Sequence, residues 1–241
     1  EKTQSVVLIQ QAIDNERLAS MGRLAAGVAH EIGNPVTGIA CIAQNLEHDT
    51  QPEQISESAQ HILSQTDRIK RIVESLISFS RGNKPTGQHF KRVNLHKVCQ
   101  EAIQLLILAD NESTLRFSCS IAPDLDILGD YHQLIQVFLN LLSNSRDASP
   151  PHSEVTILAN SIGSKIEVTI NDSGTGIAEG LQSQLFEPFV TSKDPGKGTG
   201  LGLWVVFNLV KGLGADIGIS SPAQNSDCGT TVALTFDKLE E

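Results

Sequence analysis

Within little more than one helical turn, the segment VAHEIGNP carries His30, Glu31, Asn34 and Pro35. A neutral imidazole is a competent nucleophile near physiological pH. It must shed a ring proton as it attacks, and Glu31 stands next to it to orient the ring and accept that proton. Asn34 can position a water for the reverse reaction, removal of whatever group His30 has taken. Pro35 has no N–H to give, so the carbonyl of Glu31 loses its helical partner and the helix should bend beside the histidine.

A second set of candidates lies in the C-terminal half. In NLLSNSRDA, residues 140–148, Asn140 and Asn144 are one helical turn apart and share a face. An amide oxygen there can ligate Mg²⁺, a hard ion that prefers oxygen. Asp172 opens the segment DSGTG, in which Gly174 and Gly176 let the backbone turn closely beside a carboxylate that can accept from an adenine amino group. Phe186 and Phe189 flank Glu187 and Pro188, two aromatics suited to anchor one end of a lid. In GKGTGLGL, residues 196–203, Gly198, Gly200 and Gly202 free successive backbone amides to face an anion. A helix predicted from about Leu203 adds its positive end, and Lys193 and Lys197 are placed to meet phosphates. No GxxxxGK[ST] pattern occurs, which excludes a Walker-type loop.

The elements that must hold these groups use two grammars. Met21, Ala25, Val28, Ile32, Pro35, Ile39, Ile42 and Leu46 recur at spacings of four and three, the seam of a helix bundle. With Val28 and Ile32 on that seam, His30 points outward, about 180° from its middle. A loop around His48–Pro52 precedes a second periodic helix with Ile55, Ala59, Ile62, Thr66, Ile69, Val73 and Leu76. Two such helices bury little alone, and two hairpins make a four-helix core, so a homodimer through residues 17–80 is predicted. Residues 1–16 read equally as a helical connector or as a frayed end, and 81–94 read as a linker. Residues 95–241 alternate helices and strands: helices at Leu95–Ala109, Gln133–Ala148 and Leu203–Leu213, strands at Thr114–Ile121, Val155–Ile162, Lys165–Asn171, Ile217–Ser220 and Thr230–Phe236. The expected fold class is α+β: a dimeric antiparallel four-helix bundle followed by a two-layer α/β sandwich.

Composition excludes other classes. With 28 acidic against 18 basic residues the net charge is −10, the wrong sign for broad nucleic-acid or anionic-membrane binding. No apolar run reaches membrane-spanning length. The first residue is Glu1, so a fragment is expected. Cys41, Cys99, Cys119 and Cys228 are scattered without a CxxC pair, which reads as reduced thiols rather than a zinc site or disulfide framework.

VAHEIGNPVTGI resembles the H-box of two-component sensor histidine kinases. NLLSNSRDA resembles their N-box, DSGTG their first glycine box, FEPF their F-box and GKGTGLGL their second. That order is far more specific than any one motif. By this resemblance His30 is the phosphoacceptor, Glu31 the general base and Asn34 the phosphatase residue. ATP and Mg²⁺ are the implied cofactors. Asn144 is the implied metal ligand and Asp172 the adenine reader. The ATP site is completed by Asn140, Asp147, Gly174, Gly176, Ile177, Phe189, Thr191, Lys193, Lys197, Gly198, Thr199, Gly200, Leu201, Gly202, Leu203 and Thr230. Related hydrolysing ATPases carry Glu at the Asn140 position, and an amide there cannot serve as a base. The role of Arg146 stays open. The resemblance implies a response-regulator partner, a lid over about 178–198, and a cytoplasmic location, with an inner-membrane anchor expected of a longer protein. An ATP-driven conformational machine and a catalytically silent dimeric scaffold are the alternatives. The first lacks HEIGNP, and the second would have lost site residues.

Overall fold

The computed structural model describes residues 28–29, 32–46, 51–82, 90–109, 114–193, 198–223 and 228–239. His30, Glu31 and Lys197, the 47–50 loop and the 1–16 connector lie outside the described residues. The chain divides into two compact units, Glu1–Leu76 with Thr191–Thr199, and Ile77–Val190 with Gly200–Glu241.

In the helical unit, α1 covers residues 32–46 and α2 covers Pro52–Gly82. Pro52 opens α2, where its missing N–H costs nothing. On α1, Ile32, Pro35, Ile39, Ile42 and Leu46 are covered while Asn34, Val36 and Ala40 are exposed. The burial therefore follows the four-three seam residue by residue. Gly38 sits on the α2 side, where an added Cβ would lie 4.0 Å from Gln65 Cγ. On α2 a single chain covers only part of the expected seam. Ile62, Gln65, Ile69 and Ile72 are covered, but Ile55 and Val73 remain 43% and 39% exposed and Thr66 is exposed. Leu63, outside that seam, is 64% exposed. A helix can turn only one stripe toward a single partner, and the apolar face of α2 is wider than that stripe.

The second unit is built on a five-stranded sheet in the order β2-β4-β5-β7-β6. Its strands are β2 Arg116–Ser120, β4 Glu154–Ile162, β5 Lys165–Asp172, β6 Asp216–Ser220 and β7 Thr230–Asp237. β2 pairs parallel with β4, and every other pairing in the sheet is antiparallel. Helix α4, Tyr131–Ala148, packs between α3, Leu95–Ala109, and α6, Gly202–Gly212. The core is where this helical layer meets the sheet: Leu134, Phe138, Leu141 and Leu142 of α4 are buried, as are Val155 and Ile157 of β4 and Leu234 of β7. Asp130 caps α4, its carboxylate accepting from the N–H groups of His132 and Gln133 at 2.9 and 3.0 Å. A short helix, α5 Glu179–Gln182, precedes the F-box segment.

Two strands escape a periodicity reading. β1, Lys91–Asn94, falls in the stretch expected to be linker, and it pairs antiparallel with β3, Asp126–Gly129. Four residues each are too few to show alternation. The ribbon is pinned instead by polar groups: Arg92 Nε reaches Asp126 at 2.6 Å and Asn94 donates to the same carboxylate at 2.7 Å. Arg92 first, then Asn94, holds the Asp126 carboxyl below the ordinary range.

Two of the scattered cysteines meet in space. Cys99 on α3 and Cys119 on β2 lie with sulfurs 3.4 Å apart, Cys99 buried and Cys119 partly exposed. The bond to Cys99 lowers the Cys119 thiol to about 6, against an opposing effect of burial, with the Ile121 backbone and His96 also lowering it. The same bond, then burial, pushes Cys99 up. Thiolate is the reactive form, so alkylation of Cys119 should accelerate as pH rises through about 6. Cys99→Ala should move that midpoint upward. Peptide-resolved mass spectrometry against pH measures both. A wild-type midpoint near the ordinary thiol value of about 8.5 would refute the assignment.

Candidate functional site

The alternation of β5 decides the position of its last residue. Ile166, Val168 and Ile170 are buried on one face, and the period of two carries Asp172 into the same row, 8% exposed. A carboxylate is thereby delivered to the edge of an apolar core. It is met by backbone donors: Oδ1 accepts from Gly174 N at 2.9 Å and from Thr230 N at 3.1 Å. Thr230 is its direct cross-strand partner. Buried Ser145, on α4, adds a side-chain hydrogen bond.

Glycines make this approach sterically possible. Gly229 has φ +84°, and a Cβ there would lie 2.1 Å from the Asp172 carbonyl oxygen. A Cβ on Gly174 would lie 2.7 Å from the carbonyl oxygen of Ala148, at the end of α4. Thr175 N donates to that oxygen at 3.2 Å. Ile177 N donates to Ser221 Oγ at 2.8 Å. The DSGTG loop is thus tied to α4 on one side and to the β6–β7 connection on the other.

The N-box and second glycine box converge at the start of α6. Asn140 Oδ1 lies 3.7 Å from the position a Cβ would take on Gly202. Asn144 is partly buried one turn along the same face of α4. The N-cap of α6 is Leu201, which has no side chain able to cap, in contrast to Asp130 on α4. A helix start without a side-chain cap, preceded by a glycine-rich segment, has the chemistry to accept an anion. The F-box closes the arrangement from behind. Phe186 packs on Phe207 of α6 with centroids 4.8 Å apart. Phe189 N donates to Gly200 O at 2.9 Å. Both residues have positive φ, 69° and 63°, and a Cβ on Gly200 would lie 2.3 Å from Phe189 C.

Other expected residues have local partners of their own. Thr191, Lys193, Gly198 and Thr199 group with the helical unit. There Lys193 N donates to Thr191 Oγ1 at 3.1 Å, and a Cβ on Gly198 would lie 2.9 Å from the same oxygen. Asp147 is exposed and ion-paired with Arg146 at 2.9 Å, and Arg146 also reaches Ser143 at 3.4 Å. Ser145 and Ser221 are partners of the site that motif reading does not single out, whereas Gly229 opens Gly229-Thr-Thr231, which resembles the last box of the family.

Burial raises the Asp172 carboxyl, against the lowering effects of Gly174 N, Thr230 N and Ser145. The folded protein therefore holds this proton more tightly than the unfolded chain does. The linked stability is complete below the ordinary aspartate range and is lost as pH rises through the raised folded value. Asp172→Asn keeps an oxygen for both backbone donors and removes the titration. Denaturant unfolding should show this variant at least as stable as wild type at neutral pH, with a smaller loss between acid and neutral pH. A clearly less stable variant at neutral pH would contradict it.

Among the described residues no group of three His, Cys, Asp or Glu side chains can hold a metal ion, and no helix is long and apolar enough to cross a membrane.

Residues 20–85 match the His Kinase A (phospho-acceptor) domain family, and residues 129–240 match the histidine kinase-, DNA gyrase B-, and HSP90-like ATPase family. The chain is 34% identical over 209 residues to sensor histidine kinase ZraS of Escherichia coli (strain K12), covering 86% of this chain and 44% of that protein. It is 32% identical over 231 residues to sporulation kinase A of Bacillus subtilis (strain 168), covering 94% of this chain and 36% of that protein. The chain thus spans less than half the length of these relatives. In structure it is similar to the catalytic domain of histidine kinase ThkA, with TM-score 0.54, 26% identity, and coverage of 62% of this chain and 95% of that one. The fold of histidine kinase ThkA in its complex with response regulator protein TrrA matches over 93% of this chain and 64% of that one, with TM-score 0.75 and 24% identity. An H-box segment precedes an ATPase-type domain whose buried aspartate, glycine loops and paired asparagines come in the same order as the motifs, and the chain belongs to the two-component sensor histidine kinases, whose catalytic core it carries.

Proposed function

We propose that this core takes the γ-phosphoryl group of ATP onto His30 and passes it to an aspartate of a response-regulator receiver domain. The observation that carries the nucleotide half is Asp172, a carboxylate buried at a strand end and held by Gly174 N and Thr230 N, beside the glycine-lined start of α6. Its free acceptor capacity suits an adenine amino group. The α6 N-terminus and the amides of Gly200 and Gly202 suit the phosphates.

The donor chemistry fits Mg²⁺: Asn144, partly buried on α4, offers an amide oxygen, a donor type that this ion takes alongside substrate phosphates. Bound there, Mg²⁺ would neutralise phosphate charge. The reaction itself belongs to the chain. A nitrogen of His30 forms a bond to the γ-phosphorus as the bond to the ADP oxygen breaks, and Glu31 takes the ring proton. Positioning supplies most of the acceleration. Asn34, exposed on α1, orients water for the reverse removal of phosphate from a docked receiver. The wide apolar face of α2 is covered by a second copy, giving a homodimer. Unlike the conformational ATPases, the site carries an amide at Asn140, which preserves ATP for the histidine.

Incubation with γ-labelled ATP and Mg²⁺ should give acid-labile, alkali-stable label on wild type and none on His30→Ala. Glu31→Gln should slow labelling by roughly 10²–10⁴-fold, the usual contribution of a general base. Release of inorganic phosphate without protein label would favour the conformational ATPase, and neither product would favour the scaffold. Separately, Asn34→Ala should label normally yet lose removal of phosphate from a phosphorylated receiver. Wild-type removal rates in that variant would exclude the phosphatase role.

A further inference from the structure

Ser221 lies in the β6–β7 connection, 44 residues from its partner Ile177, and no motif points to it. Its hydroxyl is used in both directions. Ile177 N donates to Oγ at 2.8 Å, and Oγ donates to Gly229 O at 3.0 Å. The Ser221 carbonyl is held in turn, by Gln182 Nε2 of α5 at 3.0 Å. Gly176, at φ +73°, makes room: a Cβ there would lie 2.7 Å from Ser221 Oγ and 3.3 Å from Gly229 O.

The Gly229 carbonyl belongs to the same rigid peptide unit as Thr230 N–H. That N–H donates to Asp172 Oδ1. Ser221 therefore grips one end of a planar unit whose other end grips the carboxylate. It also fixes Ile177, where the DSGTG loop ends. We propose that Ser221 is a positioning residue for the adenine site, setting the peptide that aims Asp172 and fastening the loop beside it. This rests on the reading of Asp172 as the adenine acceptor.

A hydroxyl is one donor and an acceptor in one small group, which is what this position uses. Alanine supplies neither function, and cysteine fills similar space with weak versions of both. In the full chain, Ser221→Ala should weaken ATP binding by about tenfold, in line with loss of hydrogen bonds at a partly buried site. GTP and inorganic tripolyphosphate should bind as to wild type, so the ATP-over-GTP preference shrinks. Labelling at saturating ATP should keep its wild-type rate, because the phosphate end is untouched. Ser221→Cys should fall between. Amide hydrogen exchange at Ile177 and Thr230 should quicken, while Val168 and Val232 inside the sheet stay protected.

Thermal unfolding without nucleotide checks the fold, and the cysteine variant decides the matter if the alanine variant does not fold. An unchanged ATP-over-GTP preference in a folded variant overturns the assignment. So does an equal loss for ATP and tripolyphosphate, which would mark general loosening. A wild type that shows no preference for ATP over GTP fails the adenine reading itself, and Ser221 with it.

Discussion

A carboxylate at the end of a core-facing row is the constraint around which the α/β unit is arranged. Ile166, Val168 and Ile170 point into the helical layer, and strand geometry allows Asp172 no other direction. Left alone, the charge would be costly. The surroundings answer with hydrogen-bond donors from three separate places: the next loop, the neighbouring strand and α4. Each answer imposes a further condition. Gly229 must lack a side chain for the β6–β7 connection to pass Asp172, and Gly174 must lack one for the loop to lie on Ala148. The burial penalty still exceeds these donors, since the carboxyl remains raised. On the proposed reading, the adenine amino group is the further donor that this carboxylate can still accept.

The starts of α4 and α6 show a second division of labour. Asp130 satisfies the first donors of α4, which serves as a core element with Leu134, Phe138, Leu141 and Leu142 buried beneath it. Helix α6 begins at Leu201, with glycines before and after, and its start faces the Asn140 side chain. One terminus carries a side-chain cap, and the other, without one, is where the proposed function places phosphate. The positive φ of Phe189 fits this scheme. A non-glycine residue held there signals a fixed join, and Phe189 and Gly200 close the base of the intervening segment by a direct backbone bond.

Legibility in the sequence followed the range of the interactions. Over the described residues the α1 seam appears in the structure from Ile32 to Leu46, because a heptad is a local pattern; Met21 and Ala25 lie outside the described residues. The motif residues of the α/β unit were also readable, since spacing along one strand or helix fixes a face. Asp172 was named for its glycines, but its burial could have been deduced from the alternation of β5. The β1–β3 ribbon, the Cys99–Cys119 contact and Ser221 were not readable. Each joins segments that are distant in the chain, by pairing or hydrogen bonds that leave no periodic trace. Which apolar residues of α2 a single hairpin covers was not readable, since periodicity gives a face but not its partner.

Asn140 links the two proposed halves of the reaction. Its side-chain oxygen approaches the start of α6, where the terminal phosphates would lie on this reading. A carboxylate there could take a proton from water and spend the nucleotide at once. An amide can order the same region through hydrogen bonds but accepts no proton at neutral pH. The pocket is then able to hold ATP while lacking the group that would hydrolyse it. On the proposed reading the base is Glu31, beside the nucleophile and outside the pocket, so that turnover would depend on His30. A kinase that reports a signal needs that dependence, because a pocket that fired on water would consume ATP without regard to the stimulus.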